Sequence, residues 1–379
     1  MSATITVNRA ELGSALTFAS LGLPKRPAVP VLGAIRVRVT PGTLELGAFD
    51  YETAATVTIG GDAAYAGTAG TLVNGKELTE AVRSLPAGKG TDRVTVTITD
   101  DGLSLLCDGW LVNVAALGAE AAAEYPQYPP LPTASATVAA APFARSATRT
   151  AACAGTDGTL PVLTTVRMEV KGGTLEMAAT DRYRLAVDTQ PADGADGLAL
   201  IPAALLAKFA KACDKDGKVS VGVDTDHVAL SDGTRTIITR SGIGEFPRVH
   251  RMLTGSEYPT TVTVDAGALA KVVTRAGNVT GKGERLGFTV TDDGVTLTAT
   301  RDGKVTGSQA VKATVTGPPV STGFNPVYLA SVLSGIAGDA VIELQENVQK
   351  PARVTSGDGF TAIVVPVRLP EPAYSKAAA

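Results

Sequence analysis

Near the middle of the chain lies the stretch Ala-Thr-Asp-Arg-Tyr-Arg-Leu-Ala, residues 179–186, which follows a strand-like run at 174–178. If this stretch is extended, Arg182 and Arg184 point to one face and the tyrosine and leucine to the other. Taken alone, such a run is explained by a strand edge with solvated arginines. Its position in an internal repeat favours a more specialised role.

The hairpin before this stretch recurs twice more in the chain. Steps of seven and two residues separate the members of three apolar triplets: Val37, Leu44 and Leu46; Met168, Leu175 and Met177; Phe288, Val295 and Leu297. The repeat spans roughly a third of the 379 residues, which is too long for a solenoid unit. Each copy can bury its own core, so we predict three similar α+β domains at 1–132, 133–256 and 257–370, followed by a mobile tail at 371–379.

Two helices are predicted in each repeat. Apolar residues at helical spacing, with Asn or Pro at several starts, place them at 9–20, 74–85, 141–153, 202–213, 266–276 and 325–338. Short runs rich in Val and Thr, separated by Gly-containing turns, predict antiparallel strands between the helices.

The composition narrows the class of protein. The net charge of −3 and the pI near 5.6 do not by themselves indicate a nucleic-acid-binding protein. Three scattered cysteines are typical of buried residues in a reducing compartment and form no disulfide or metal pattern. The N-terminus lacks a signal-peptide pattern, and no apolar run approaches the ~20 residues needed to span a membrane. We therefore expect a soluble, cytoplasmic protein.

The basic residues of three predicted helices share helix faces. They follow steps of three or four residues and have few acidic neighbours: Arg145 and Arg149; Lys208, Lys211 and Lys215; Lys271 and Arg275. A solvated face usually explains one such stripe. Three of them in an acidic chain favour a surface that attracts polyphosphate without reading bases.

Catalytic, cofactor and metal motifs are absent from the sequence. Neither His227 nor His250 belongs to a nucleophile motif. The run 214–218 lacks the ligands of a calcium loop, and the run 277–283 is one residue short of a phosphate-binding loop. We predict a protein that is not an enzyme and needs no cofactor or metal.

At this point the residues resemble a known family. The chain resembles the bacterial β sliding clamps, the processivity subunit (beta) of DNA polymerase III, over essentially its whole length. Seven short motifs carry the resemblance: Pro-Val-Leu at 30–32, Phe-Asp-Tyr-Glu at 49–52, Glu-Tyr-Pro at 124–126, Leu-Pro-Val-Leu at 160–163, the stretch 179–186, Glu-Phe-Pro at 245–247, and Ala-Ile-Val-Val-Pro-Val-Arg-Leu at 362–369.

The resemblance implies a fold and a function. The fold is the DNA-clamp (processivity) fold, three tandem domains per chain, in a head-to-tail homodimer ring with helices lining the hole and antiparallel sheets outside. The function is to encircle double-stranded DNA, without sequence preference, and confer processivity on the replicative polymerase. The residues implied to face DNA are Arg26, Lys76, Arg83, Arg145, Arg149, Lys208, Lys211, Lys215, Lys271 and Arg275. The chain departs from some members of the family at Ala203 and Ala204, which replace basic residues.

The resemblance also implies a hydrophobic cleft between the second and third domains. It would take short linear motifs of the polymerase, the clamp loader and repair proteins. The implied cleft residues are Leu163, Thr180, Arg182, Tyr183, Arg184, Leu185, Pro247, Met252, Val364, Val365, Pro366, Val367, Arg368 and Leu369. Tyr183 and Leu185 are expected to form its apolar wall and the arginines its rim. Arg182 stands where some members have a small residue, and the tail at 371–379 extends beyond the usual end.

The implied dimer contact joins the first domain of one subunit to the third domain of the next. Val112 and Val114 are the candidates for its apolar part. Two alternatives stay open: a clamp-like paralogue or mobile-element clamp with different partners, and an enzyme or small-molecule-binding protein on an α+β repeat fold. The second alternative requires a group of polar residues that could form a ligand-binding or catalytic site, and the sequence shows no such group.

Overall fold

A computed structural model of the chain describes residues 2–63, 68–88, 92–132, 135–281, 283 and 285–369. The predicted tail at 371–379 lies outside these residues. The α-helices are α1 (Arg9–Ala19), α2 (Gly75–Ser84), α3 (Ala119–Glu124), α4 (Ala140–Ala151), α5 (Ala203–Ala212), α6 (Ala266–Val279) and α7 (Pro326–Leu333). Short 3-10 helices cover Ser20–Gly22, Pro30–Gly33, Pro161–Thr164 and Val249–Met252.

The strands of the first half are β1 (Ala3–Asn8), β2 (Ala34–Thr40), β3 (Thr43–Phe49), β4 (Thr53–Gly60), β5 (Asp62–Ala63), β6 (Ala69–Asn74), β7 (Arg93–Thr99), β8 (Gly102–Cys107), β9 (Trp110–Ala115), β10 (Ser135–Ala139), β11 (Thr165–Lys171), β12 (Thr174–Thr180) and β13 (Arg184–Pro191). Those of the second half are β14 (Asp193–Gly194), β15 (Gly197–Pro202), β16 (Lys218–Val223), β17 (His227–Ser231), β18 (Arg235–Arg240), β19 (Thr260–Asp265), β20 (Leu286–Thr291), β21 (Gly294–Arg301), β22 (Lys304–Lys312), β23 (Thr314–Thr316), β24 (Val320–Phe324), β25 (Asp339–Leu344), β26 (Ala352–Thr355) and β27 (Phe360–Val364).

The six predicted helices are all present. Several of their starts are fixed by caps such as Asn8, whose side chain accepts hydrogen bonds from the N–H groups of Ala10 and Glu11. The last helix is shorter than predicted: it ends at Leu333 because Gly335 then takes a positive φ of 82°. The short helix α3 was not predicted.

The register of the hairpins confirms the repeat. Val37 pairs with Leu46, Met168 with Met177, and Phe288 with Leu297, in the pairs β2–β3, β11–β12 and β20–β21. All six side chains are buried. The spacing of seven and two residues therefore reflects the same hairpin facing the same kind of core in each repeat.

The chain forms two compact units. Unit one comprises residues 1–140 and 212–241. It contains an antiparallel sheet of order β5-β1-β7-β8-β9 and a second sheet that includes β10-β16-β17-β18-β4-β3-β2-β6. Helix α1 buries Leu12, Leu16 and Phe18.

Unit two comprises residues 141–211 and 242–379. Its larger sheet has the order β15-β11-β12-β13-β27-β26-β25-β19-β23, and its smaller sheet has the order β22-β21-β20-β24. Phe288, Phe324 and Phe360 anchor its main core, to which α6 and α7 contribute Leu269 and Leu329.

These units do not coincide with the repeats, because strands pair across repeat boundaries. In unit one, β4 of the first repeat pairs with β18 of the second, with Thr53 opposite Thr239. In unit two, β13 of the second repeat pairs with β27 of the third, with Leu185 opposite Ile363. Each of the larger sheets is therefore completed by two repeats.

The stretch 179–186 is a strand end, a tight turn and a new strand, so it is not extended throughout. Arg182 has a φ of +81°, and the Asp181 Oδ1 atom accepts hydrogen bonds from the N–H groups of Tyr183 and Arg184 at 3.0 Å each. An aspartate that binds the backbone two and three residues ahead favours a turn over a strand. The chain reverses here from β12 to β13.

Candidate functional site

The turn at 180–184 borders an apolar cleft of about 430 Å³ in unit two. Four segments supply the lining residues: Leu160, Val162 and Leu163; Thr180, Arg182, Arg184 and Leu185; Pro247, Arg248, Val249 and Met252; Ile363 and Val365. A concave, mostly apolar surface with a few polar groups at its margin is the usual form of a ligand-binding cleft.

The floor of the cleft is continuous with a small buried core. Leu185 and Ile363, each 1% exposed, pair across β13 and β27 and pack with Phe246 and Val249. Because both strands belong to the central part of a nine-stranded sheet, the floor is rigid. Ligand binding there needs little reorganisation of the backbone.

Two short helical turns form the walls. Pro161–Thr164 is a 3-10 helix, and the carbonyl of Leu163 accepts a hydrogen bond from the N–H of Gly155 at 2.7 Å. Val249–Met252 is a second 3-10 helix that begins directly after the segment at 245–248. Met252 is half exposed, so its flexible side chain lies at the mouth of the cleft.

The turn at 180–184 is held by several hydrogen bonds. The Thr180 hydroxyl donates to the carbonyl of Arg184 at 2.7 Å and accepts from the N–H of Arg182 at 3.2 Å. The N–H of Val365 donates to the carbonyl of Tyr183 at 2.8 Å. The turn is therefore tied to itself and to the segment that follows β27.

Arg184 acts as an internal brace. Its Nε donates to Asp181 Oδ2 at 2.9 Å, and its Nη1 donates to the Ser331 hydroxyl on α7. Its guanidinium also lies 5.0 Å from the centroid of the Tyr328 ring. The guanidinium of Arg184 is thus already paired with groups of the protein, although the side chain borders the cleft.

Eight of the predicted cleft residues line the cleft: Leu163, Thr180, Arg182, Arg184, Leu185, Pro247, Met252 and Val365. Six others are not among its lining residues: Tyr183, Val364, Pro366, Val367, Arg368 and Leu369. Tyr183 is 49% exposed and stacks on Tyr328 with ring centroids 5.6 Å apart, and its predicted place in the cleft wall stays a prediction.

The prediction of Val364 as a cleft residue is wrong. Side chains alternate along β27, and Val364 lies on the buried side. Ile363 faces the cleft while Val364 is fully buried in the main core of unit two. The chain then follows β24, where the N–H of Val367 donates to the carbonyl of Gly323 at 2.8 Å.

Sequence reasoning missed five lining residues: Leu160, Val162, Arg248, Val249 and Ile363. Leu160, Val162 and Ile363 belong to the motifs that carry the family resemblance. Arg248 and Val249 directly follow the Glu-Phe-Pro motif at 245–247. The family motifs therefore identified the right segments, but they do not indicate which side chains face the cleft.

Nine of the ten residues predicted to face DNA have exposed side chains: Arg26, Lys76, Arg83, Arg145, Lys208, Lys211, Lys215, Lys271 and Arg275. Arg275 donates to the Gln309 side chain at 2.8 Å, and Lys76 lies 3.9 Å from Glu80. Exposure alone does not identify a DNA-binding surface, so this set stays a prediction.

Arg149 cannot contact DNA, and its prediction is wrong. Its side chain is 1% exposed, pairs with the equally buried Asp188, and contacts Asp358 at 3.0 Å. The guanidinium also lies 4.6 Å from the Phe360 ring centroid. Burial would lower the pKa of Arg149, but hydrogen bonds to both carboxylates outweigh it and raise the pKa.

The predicted dimer residues lie on β9, which is the edge strand of its sheet. Val114 is 4% exposed and faces the core, so its prediction as an apolar contact is wrong. Val112 is partly buried and stays a prediction. The neighbouring Trp110 and Leu111 are exposed large apolar residues that sequence reasoning missed.

Two further findings on the described residues concern membrane spans and metal sites. No described helix combines the length and apolar character needed to cross a membrane. In the same residues, no cluster of three or more His, Cys, Asp or Glu side chains is arranged to hold a metal ion.

Models of the DNA polymerase III beta subunit match the chain in three parts. The N-terminal domain model matches residues 3–129, the central domain model 137–248 and the C-terminal domain model 252–368. The β sliding clamp of Micrococcus luteus is 32% identical over 316 residues, which cover 82% of this chain and 99% of the relative. The chain belongs to the β sliding clamp family.

Further sliding clamps agree with this assignment. The β sliding clamp of Streptomyces coelicolor is 29% identical over 384 residues, covering 96% of this chain and 99% of the relative. The crystal structure of the Pseudomonas aeruginosa sliding clamp bound to griselimycin covers 97% of this chain and 100% of its own, with a TM-score of 0.83. At 20% identity that structure supports the clamp fold alone. The predicted fold class of three tandem clamp domains is confirmed.

Proposed function

We propose that this clamp-family chain encircles duplex DNA as a homodimer ring and holds partner proteins on the DNA by binding their short linear motifs. The apolar cleft in unit two carries this proposal. Its rigid floor of Leu185 and Ile363 suits an apolar anchor side chain, and its margin offers hydrogen-bond donors for a peptide backbone. The replicative polymerase, the clamp loader and repair proteins are the partners that we assign to it.

Each unit offers a strand edge that suits ring closure. In the sheets as described, β9 pairs with β8 in unit one, and β22 pairs with β21 in unit two. Exposed apolar side chains lie on both edges, Leu111 on β9 and Val305 on β22. Pairing of β9 with β22 of a second copy would bury them and satisfy the open backbone groups.

Basic side chains supply the attraction to DNA in this proposal. Lys208 and Lys211 are exposed on α5, and Lys271 and Arg275 are exposed on α6. Lysine and arginine contacts with phosphates are independent of sequence and weaken with salt. A closed ring needs only such weak contacts, because it is retained on DNA by topology.

A test of the ring uses circular DNA. We expect light scattering to give twice the 38.5 kDa chain mass at micromolar concentration. After loading by a clamp loader, the protein should stay on nicked circular DNA and leave when one cut makes the DNA linear. A stable monomer, or equal retention on both DNA forms, would contradict the ring.

A second test uses charge reversal on α5. Changing both Lys208 and Lys211 to Glu should weaken binding to linear duplex and reduce the slope of log K against log salt by up to about 1.8 if each lysine contacts one phosphate. The control changes Lys171 and Lys350, which are exposed elsewhere in unit two, to Glu. It alters the net charge by the same amount. Equal effects of the two double variants would show that α5 has no special role.

A further inference from the structure

The charged residues that line the cleft all have the same sign. They are Arg182, Arg184 and Arg248, and none of the described lining residues is acidic. The rest of the lining is apolar apart from Thr180. A ligand that enters this cleft therefore meets an apolar floor and a positive margin.

The three arginines differ in how strongly they are bound to other groups of the protein. Arg184 is bound to Asp181 and Ser331 and packs on Tyr328. Arg248 lies 3.5 Å from Glu245, and both side chains are largely exposed, so water weakens that pair. Arg184 is thus committed to the protein, whereas Arg248 can exchange its partner.

Arg182 is exposed, its guanidinium lies 5.9 Å from the centroid of the Tyr183 ring, and its charge acts on Asp157. Hydrogen bonds from Thr159 lower the pKa of Asp157, and the charge of Arg182 lowers it further. Asp157 is itself fully exposed, so a ligand carboxylate can compete with it for Arg182.

The backbone at Arg182 is a property of the repeat and not of the cleft. Tyr51 in the first repeat and Asp302 in the third have positive φ values of 71° and 53° at the equivalent position. The left-handed turn therefore recurs wherever this hairpin occurs. What distinguishes the second repeat is the side chain that the turn holds at the mouth of the cleft.

We propose that the cleft selects peptides in which a carboxylate lies close to the apolar anchor residue, with Arg182 as the main determinant and Arg248 as the second. This inference rests on the proposed function of the cleft as a peptide-binding site. The backbone of Arg182 is fixed by the hydrogen bonds of the turn, while its side chain is exposed and lies 5.9 Å from the Tyr183 ring centroid. Because the backbone of Arg182 is already fixed, little conformational entropy is lost when its side chain binds the ligand carboxylate.

The test measures binding of fluorescent peptides by anisotropy. A neutral peptide with Gln and Leu-Phe anchors is compared with a series that carries Glu at one, two or three residues from the anchor, and with the matched Gln series. We expect the best Glu peptide to bind about fivefold more tightly than its Gln counterpart at low salt, as expected for an exposed ion pair. The difference should vanish near 1 M salt, where the screening length falls to about 3 Å.

The variant Arg182→Gly tests the main determinant. Glycine accepts a φ of +81° without strain, so the variant should fold at least as well as the parent. It should lose most of the preference for Glu, measured as the ratio of the affinities for the matched Glu and Gln peptides. Arg182→Lys, which keeps the charge, should retain the preference.

The outcomes separate the inference from the proposed function. Equal binding of the Glu and Gln peptides to the parent protein would overturn the inference and leave the cleft as a peptide site. An undiminished preference in Arg182→Gly would overturn the role of Arg182. Failure of every peptide to bind would overturn the proposed function itself.

Discussion

Replacing Arg149 with methionine is expected to lower the free energy of unfolding of unit two by about 3–5 kcal/mol. The reason is that Asp188, 1% exposed, would remain buried without its partner. One of its oxygens, Oδ1, already has no hydrogen-bond partner among the described residues, so no second donor can take over. Helix α4 would lose its tie to β13 and to the turn before β27 at the same time.

The matched control is Arg145→Met, one helical turn earlier. Arg145 contacts the same Asp358 at 3.2 Å but is 40% exposed, so we expect a loss below about 1 kcal/mol. Hydrogen exchange of peptides from 141–211 is a suitable measurement, because the chain's single tryptophan, Trp110, lies in unit one. Similar losses for the two variants would contradict the assigned role of the buried pair.

The second large effect concerns the cleft. Met252→Lys is expected to weaken binding of the neutral peptide about 10-fold, which corresponds to roughly 1.4 kcal/mol. The lysine would remove the apolar contact of Met252 and add a positive charge at the mouth of the cleft, where the charged lining residues among those described are arginines. Fluorescence anisotropy measures the loss directly.

Met252 is a better test position than Leu185, because Leu185 is buried and a charge there would unfold the sheet. The control is Leu198→Lys, which adds the same charge at an exposed leucine of β15, outside the cleft lining but in unit two. It should bind the peptide normally. Binding by Met252→Lys with unchanged affinity would mean that the peptide does not use this cleft.

The repeat and its first hairpin could be predicted from the sequence, because buried Leu, Met, Val and Phe follow the same steps in all three copies. The third strand of each group was not predicted. In β4 the run Thr-Ala-Ala-Thr-Val-Thr-Ile-Gly carries small residues on both faces, so alternation is weak. Pairing with β18, which comes from a distant part of the chain, stabilises β4 instead.

The cleft could be predicted only in part, for a similar reason. The family motifs point to the right segments, but the orientation of each side chain depends on local backbone that short motifs do not fix. Asp181 makes this stretch a turn, and Tyr183 then stacks on Tyr328. Arg149 was misassigned because its carboxylate partners lie 39 and 209 residues away, where helical spacing gives no information.

The pairing of strands across repeat boundaries limits how the gene can be divided. A fragment that stops at residue 132 keeps β4 but lacks β18. The backbone groups of β4 at 53–57 then lose their partners and leave an exposed edge that can pair with other chains. Such a fragment should self-associate or be degraded, although it holds a whole repeat. Expression of a single repeat therefore requires capping this edge, for example with an inward-pointing lysine or a covalently attached copy of residues 235–240.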